Sequence, residues 1–203
     1  MPFPAKTNQE TILAAATEIV EREGIASLSM REIARRLELA PNALYHHFKG
    51  RDELEAEIAA EGFRQLAATI KKAVEPGRGR SEAVGAEALM RTNHAYLKFA
   101  RTRPALYQLM LRKHTPTPGL LAATGELQEY SRKLYDWIEP PEIIAEATFA
   151  LFAMMHGIAT LERDGLLEGD MKRDPSFAIS ALLVGLGQLA KQKKLSRRTP
   201  SLA

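Results

Sequence analysis

SMREIARRLELAPNALYHHFKGR, residues 29–51, is the stretch of sequence that decides the fold. Ser29 and Glu32 have the spacing of a capping box, in which two side chains satisfy free amides at the start of a helix. Apolar residues then recur at three- and four-residue intervals as far as a short break at residues 38–39. Pro41 follows, and proline suits the first position of a helix because the amide proton that it lacks would have no partner there. The stretch therefore predicts two short helices separated by a tight turn, which is a helix-turn-helix.

The second helix of this pair is predicted to turn Leu44 and Phe48 inward and its small, polar and aromatic residues outward. In a helix-turn-helix, the second helix enters the major groove of DNA, and residues near its N-terminus meet the edges of the bases. Asn42 has the amide that can pair with adenine through two hydrogen bonds. Ala43 and the Pro41 ring can contact the methyl group of thymine. This outward face predicts a DNA-reading helix.

Basic residues outnumber acidic ones in this stretch. Residues 29–51 hold five lysines and arginines and two glutamates, a local net charge of +3 that suits contact with DNA. Phosphate contacts fix the position of a protein on DNA without specifying sequence, and we expect them from Tyr45, His47, Lys49 and Arg51. An exposed helical hairpin with a solvated charged face is the alternative explanation of the same pattern. The complete set of candidate DNA-binding residues is Ser29, Arg31, Pro41, Asn42, Ala43, Tyr45, His46, His47, Lys49 and Arg51.

The wider segment ILAAATEIVEREGIASLSMREIARRLELAPNALYHHFKGRDELEAEI, residues 12–58, resembles the DNA-binding domain of the TetR family of bacterial transcriptional regulators. LYHHFKGRDEL, residues 44–54, is the specific part of the resemblance. Glu38 stands where the family often has glycine, so this turn must tolerate a side chain. Ala40 stands where Ser or Thr often caps the second helix, so that helix lacks a side-chain cap. The resemblance implies a three-helix DNA-binding domain, which we expect over residues 1–51.

Helical patterns account for the rest of the chain, with neither a strand pattern nor an internal repeat. Thr7 or Asn8 can cap the first helix, and Gly24 ends it. Further breaks at prolines and glycines, including the loop GRGRS at residues 77–81, divide the chain into about nine helices. The predicted fold class is all-α.

The C-terminal part resembles a branch of the same family that carries a tryptophan-histidine-glycine triplet. The resemblance lies in FARTRPALYQLMLRK, residues 99–113, and FALFAMMHGIATLERDG, residues 149–165, although the triplet here reads Met155-His156-Gly157. The resemblance implies a helical domain over residues 52–203 that binds an effector and forms a homodimer through helices 8 and 9. Small residues in FAISALLVGLGQLA, residues 177–190, would permit close helix approach. The alternative is that helix 9 closes the core of a monomer.

Aromatic and methionine side chains on these helices are candidates for a largely apolar effector pocket. Plain core packing is the alternative for each of them. We expect His94 and His156 to make buried or interface hydrogen bonds rather than to bind a metal, since cysteine is absent and the five histidines lack metal-site spacing. No cofactor is expected. The candidate effector-binding residues are Phe63, Leu66, Tyr96, Phe99, Tyr107, Met110, Trp137, Phe152, Met155 and His156.

Composition favours a cytoplasmic protein. The 203 residues contain no cysteine, and the N-terminus lacks the apolar core of a signal peptide. The longest apolar stretch, residues 147–161, is interrupted by His156 and is too short to span a membrane. The tail KQKKLSRR, residues 191–198, is expected to be solvated and partly disordered, with a secondary DNA contact as the alternative.

No catalytic motif is present, so an enzyme is disfavoured. A helical interaction or ligand-binding module that does not bind DNA is the remaining alternative. The predicted function is a dimeric, ligand-responsive regulator, most simply a repressor, that binds a near-palindromic DNA operator. Gly62 lies within the predicted fourth helix, where it either permits a bend or lets helix 1 pack closely.

Overall fold

A computed structural model describes residues 8–74, 82–134, 144–167 and 174–198. Within these ranges the chain forms α-helices joined by short turns, with a single 3-10 turn at Ile25–Ser27 and no strand. The all-α prediction is therefore confirmed. The nine helices are α1 (Gln9–Glu23), α2 (Met30–Arg36), α3 (Pro41–Leu44), α4 (Arg51–Val74), α5 (Glu82–Thr102), α6 (Pro104–Met110), α7 (Pro118–Leu134), α8 (Ile144–Arg163) and α9 (Pro175–Arg198).

The described residues fall into two compact units. The first lies within residues 1–65 and 102–126, and the second within residues 66–101 and 127–203. Helices α4 and α7 each contribute to both. This division of the packing differs from the predicted boundary after residue 51, because α6 and the start of α7 pack in the unit that contains the helix-turn-helix. The assignment of functional domains to 1–51 and 52–203 stays a prediction.

The first unit is built on the apolar faces of α1 to α4. Ile12, Ile19 and Ile33 have no exposed surface, as expected from their helical spacing. The backbone amide of Thr11 donates to Asn8 Oδ1 at 2.8 Å, so Asn8 is the cap of α1. Gly24 ends this helix with φ +83°, a conformation that glycine adopts without a steric penalty.

The turn between α2 and α3 holds Glu38 in the left-handed region, at φ +54°. The Leu39 amide donates to the Ala34 carbonyl at 2.9 Å and the Glu38 amide to the Arg35 carbonyl at 3.3 Å. This is the Schellman arrangement, which satisfies the last carbonyls of a helix and usually places glycine where Glu38 lies. The expectation that this turn tolerates a side chain is thus met by a left-handed glutamate, at a cost in backbone energy.

Replacing Glu38 by glycine is expected to raise the free energy of unfolding by about 1 kcal/mol, because glycine removes the left-handed penalty. The end of α8 supplies the control, since Gly165 has φ +71° and Leu166 donates to the Leu161 carbonyl at 2.9 Å in the same arrangement. Gly165→Ala should therefore lower the stability that Glu38→Gly raises. Urea unfolding of both variants measures the two shifts, and a destabilised Glu38→Gly would show that the side chain compensates for the strain.

Gly62 packs against α6 rather than against α1, which differs from the close-packing alternative considered for it above. A Cβ at position 62 would lie 2.6 Å from both Cγ and Sδ of Met110, and 3.3 Å from Leu106 Cδ1. Glycine here makes room for the buried Met110 side chain. A hinge at Gly62 stays a prediction.

Gly62→Ala is expected to destabilise the protein by about 1–3 kcal/mol through overpacking, offset in part by the higher helix propensity of alanine. Met110→Ala opens the space that the new methyl group needs. The double variant should therefore be more stable than the two single effects predict by addition, with a coupling energy above about 0.5 kcal/mol. Urea unfolding of the four proteins gives this coupling, and strictly additive effects would contradict the packing role of Gly62.

Two helices of the second unit differ from expectation. Helix α9 continues through Arg198, so it includes residues 191–198, for which a solvated and partly disordered tail is predicted above. Helix α8 is 20 residues long, which is longer than the apolar stretch at 147–161, and only 22% of its most apolar 18-residue window is buried. By length and composition alone α8 could cross a membrane, a test that the core helix of a soluble protein also passes.

Candidate nucleic-acid interface

Ser29 caps α2, and Glu32 completes a network of charges rather than the capping box. The Glu32 amide donates to Ser29 Oγ at 3.1 Å, which confirms the first half of the box. The Glu32 carboxylate accepts from Arg35 Nε at 2.9 Å and from Arg36 Nε at 3.2 Å. Arg36 also pairs with Glu23, which ties α2 to the end of α1. Ser29 and these charged side chains position the start of the helix-turn-helix.

Hydrogen bonds from the Arg35 guanidinium, and then from that of Arg36, lower the pKa of the Glu32 carboxyl from 4.5 to about 2. A carboxyl with a lower pKa in the folded state stabilises the fold above pH 4.5 and loses that contribution as the pH falls towards 2. Glu32→Gln should therefore show a weaker fall in unfolding free energy between pH 5 and pH 3 than the unaltered protein. Urea unfolding at both values measures this fall, with the exposed Glu126→Gln as control. Identical pH dependence in the two variants would contradict the network.

Arg31 stands apart from the other arginines. Each other arginine whose side chain the structure describes has a carboxylate within 4 Å. The exposed Arg31 has no such pair among the described residues. Its charge is therefore available to an external anion.

Helix α3 is shorter than predicted and lacks a side-chain cap. It runs Pro41–Leu44, so it ends before Phe48, which is predicted to lie on its inner face, and residues 45–47 form turns instead. Ala40 has an extended conformation and provides no cap hydrogen bond, as its methyl side chain implies. Pro41 occupies the first helical position, as predicted. Asn42 is exposed and Ala43 is half-buried, so the amide of Asn42 is open to solvent at the start of α3.

The segment after α3 presents three exposed side chains. Tyr45 is 54% exposed, which is unusual for an aromatic residue beside a packed core. His46 and Lys49 are exposed, and the Lys49 backbone amide donates to Glu53 Oε2 at 2.5 Å. His47 is half-buried, and its carbonyl accepts from Gln9 at 3.4 Å. The Lys49 backbone is thus held at the start of α4 while its ammonium group remains in solvent.

Arg51 differs from the other predicted phosphate contacts because its guanidinium is engaged within the chain. Its Nε lies 2.6 Å from the carboxylate of the buried Glu55, and its Nη2 donates to the Ile25 carbonyl at 3.2 Å. Arg112 approaches the same carboxylate at 3.6 Å. Arg51 therefore anchors the start of α4 beside the 3-10 turn. The i, i+4 spacing of Arg51 and Glu55 is a sequence signal for this pair, whereas the approach of Arg112 needed the fold.

Five exposed side chains with no ion pair or side-chain hydrogen bond among the described residues form what we term the reading surface. They comprise two cations, an amide, a phenol and an imidazole, which are hydrogen-bond donors suited to phosphates and base edges. Their availability contrasts with the paired arginines elsewhere in the described parts of the chain. The members are Arg31, Asn42, Tyr45, His46 and Lys49.

The candidate effector-binding residues divide between the two units. In the first unit Tyr107 and Met110 are buried and Phe63 is half-buried. Trp137 lies outside the described residues. The remaining candidates are all in the second unit. Four of them are buried, namely Leu66, Tyr96, Phe99 and Met155, whereas His156 is half-buried and Phe152 is exposed.

Three aromatic rings of the second unit meet each other. The rings of Tyr96 and Phe152 are perpendicular with centroids 6.4 Å apart, and Phe152 stacks on His156 at 6.2 Å. His94 is exposed, and its Nε2 lies 3.1 Å from Ser176 Oγ, so its hydrogen bond lies at the surface of the unit rather than in a buried position. In the described ranges no group of three or more metal-ligating side chains comes together.

Two family models match this sequence. Residues 12–58 match the family described as bacterial regulatory proteins, tetR family, and residues 89–185 match the tetracyclin repressor-like, C-terminal domain. Together the two matches cover more than half of the 203 residues. The first contains the helix-turn-helix and the whole reading surface.

Relatives and solved structures agree with these matches. The chain is 26% identical over 181 residues to an uncharacterized HTH-type transcriptional regulator, YobS of Bacillus subtilis, covering 88% of this chain and 92% of that protein. A protein of unknown function from Rhodococcus sp. RHA1 shares the fold with a TM-score of 0.73 and 24% identity, covering 94% of this chain and 98% of that one. BioQ, solved with its natural double-stranded DNA operator, has a TM-score of 0.59 and 21% identity over 90% of this chain and 99% of its own. The chain belongs to the tetR family of bacterial regulatory proteins and is a DNA-binding transcriptional regulator.

Proposed function

We propose that the protein is a ligand-responsive repressor that binds a near-palindromic operator as a homodimer. The reading surface carries this proposal, because its five side chains are exposed, and no ion pair or side-chain hydrogen bond engages them within the described chain. Asn42 would read a base edge, with Pro41 and Ala43 beside it, and Arg31, Tyr45, His46 and Lys49 would contact phosphates or bases. Ser29 and His47 border this surface. For Arg51 to contact a phosphate as well, its guanidinium must bind the DNA while it remains paired with Glu55.

Exposed apolar side chains support dimerisation through α8 and α9. Phe149 on α8 is 72% exposed, and on α9 Phe177 is 81%, Val184 62% and Leu189 56% exposed. Large apolar side chains concentrated on two neighbouring helices mark an interaction surface. A two-fold dimer through this surface would present two reading surfaces to a DNA site with matching two-fold symmetry.

A largely apolar effector in the second unit would supply the response. Helix α4 begins beside the reading surface and contributes to both units, so it is the proposed link between effector and DNA. The effector shifts the protein away from its DNA-binding state by its difference in affinity for the two states. Action on chromosomal DNA implies a cytoplasmic protein, and neither a cofactor nor catalysis is part of this mechanism. We also propose that the protein belongs to the branch of the family that carries the tryptophan-histidine-glycine triplet.

Asn42→Ala tests base reading directly. Binding is measured by fluorescence anisotropy against the operator and against operators changed at one base pair each. We expect the variant to lose about 1–3 kcal/mol of discrimination at one position of each half-site and little at the others. Equal loss of affinity for all these duplexes would contradict base reading by Asn42.

A further inference from the structure

The second unit contains a buried amide nitrogen without a hydrogen-bond partner among the described residues. Asn93 lies on α5 and is 5% exposed, and its Nδ2 has no partner among the residues that the structure describes. Buried polar side chains are hydrogen-bonded in the large majority of protein structures, because a buried donor that is left unpaired loses its bonds to water and gains none. The Asn93 amide therefore lacks what a ligand could supply, a hydrogen-bond acceptor.

A cluster of aromatic rings begins one helical turn after Asn93. Tyr96 follows Asn93 by three residues, so the two side chains are neighbours on one face of α5. The Tyr96 ring meets the edge of Phe152, and Phe152 stacks on His156 with an angle of 8° between the rings. Phe152 is nevertheless 46% exposed, although phenylalanine is among the residues most often buried. Part of this ring is left uncovered by the chain.

A second unpaired polar atom lies on the helix that carries Phe152 and His156. Thr160 follows His156 by one helical turn, and its Oγ1 is buried without a partner among the described residues. By contrast, Thr92 and Thr148 donate to the carbonyl four residues earlier, at 2.9 and 2.7 Å. The unit thus combines aromatic surface with two unsatisfied polar groups, on α5 and α8.

We propose that Asn93 is the polar anchor of the effector site and that its ligand is a flat aromatic molecule bearing a carbonyl-type hydrogen-bond acceptor. This inference rests on the proposed ligand response and narrows the effector to a chemical class. The acceptor pairs with Asn93 Nδ2, and the aromatic part of the ligand packs against the uncovered ring of Phe152. Orientation by one polar group in an aromatic pocket is the usual design of small-molecule sites.

The unpaired amide is tested first without any ligand. Asn93→Leu keeps the size of the side chain and removes the unsatisfied donor, so the Tm of the full chain should rise by about 2–4 °C. Thr160→Val should be neutral or stabilising, whereas the matched Thr148→Val on the same helix removes a hydrogen bond and should lower the Tm. A lower Tm for Asn93→Leu would show that the amide is bonded within the folded protein, and this result would overturn the proposal.

Two probes of equal shape then test the ligand class. The full chain is titrated with 2-acetylnaphthalene, which has one carbonyl acceptor, and with 2-isopropenylnaphthalene, in which a CH2 group replaces the carbonyl oxygen. We expect the acetyl compound to bind about tenfold more tightly, the gain of one hydrogen bond, and to shift the Asn93 side-chain amide signals in NMR spectra. Asn93→Leu should abolish this preference, and Phe152→Ala should weaken both compounds.

Three results would overturn the proposal that Asn93 anchors the ligand. They are binding of neither probe, equal binding of both probes, and a preference for the acetyl compound that survives Asn93→Leu. Operator binding, measured on the same protein without a probe, separates a failure of the Asn93 anchor from a failure of the proposed repressor function. A protein that binds its operator but shows no probe preference refutes the anchor alone. A protein that binds no operator refutes the proposed repressor, while its probe preference and Tm shift still decide the role of Asn93.

Discussion

Removing the charges of Arg31 and Lys49 together is expected to weaken binding to every DNA duplex by about a hundredfold for each half-site that the dimer contacts. Each charge-assisted hydrogen bond to a phosphate contributes about 1.5–3 kcal/mol, and about 1.4 kcal/mol corresponds to a factor of ten. Neither side chain has an ion pair among the described residues, so Arg31→Gln and Lys49→Gln leave no carboxylate unpaired. Because phosphate contacts release counterions and the dimer carries each substitution twice, the slope of log affinity against log salt should become shallower by about four in the double variant.

Arg64→Gln is the matched control for this double variant. Arg64 is an exposed arginine on α4 that pairs with Glu61 at 2.9 Å, and it lies outside the reading surface. The control changes the net charge of the protein without removing a proposed contact. Anisotropy titrations at four salt concentrations give the slopes, and an unchanged slope in the double variant would refute phosphate binding by Arg31 and Lys49.

Phe177→Glu is expected to convert the protein to a monomer at micromolar concentration and to abolish operator binding. The Phe177 side chain is 81% exposed on α9, and in the proposed dimer the substitution would bury an unpaired carboxylate. Loss of the dimer removes one of the two half-site contacts, so operator affinity falls towards that of a single reading surface. Sedimentation equilibrium gives the oligomeric state, and anisotropy gives the operator affinity.

Leu121→Glu serves as the comparison for the dimer test. Leu121 is 61% exposed on α7, which is not part of the proposed α8 and α9 interface, so this variant should remain dimeric. A Phe177→Glu protein that stays dimeric would refute the α8 and α9 interface. If both variants dissociate, the dimer surface includes α7 and the proposed interface is too narrow.

The sequence predicts the helix ends and the turn of the first unit well, because a single residue decides each of them. Gly24 ends α1 because it adopts a positive φ. Ser29 caps α2 because its hydroxyl accepts a hydrogen bond from the backbone amide three residues later. Pro41 opens α3 for an equally local reason. Glu38 was recognised as a departure from the glycine of related turns, and its left-handed conformation follows from that position. Each of these features depends only on a few neighbours along the chain.

Contacts between distant segments could not be predicted in the same way. The i, i+4 spacing in the sequence signals the pair of Arg51 with Glu55, but the hydrogen bond from the Arg51 guanidinium to the carbonyl of Ile25, 26 positions away, depends on the fold. Gly62 makes room for Met110, which is 48 positions further along the chain and reaches it through the packing of α6. The unpaired Asn93 amide is likewise visible only once the surrounding helices are in place. Burial and pairing decide these roles, and both depend on the fold.

Selection of bound duplexes from a random library by the purified protein, at two salt concentrations, tests the central claim most directly. The proposed dimer predicts recovery of a near-palindrome whose half-sites lie one helical turn of DNA, or a multiple of it, apart. It also predicts that the Phe177→Glu monomer recovers no such sequence. Recovery of unenriched DNA by the unaltered protein, with binding that only weakens as salt rises, would contradict sequence-specific reading by the paired reading surfaces.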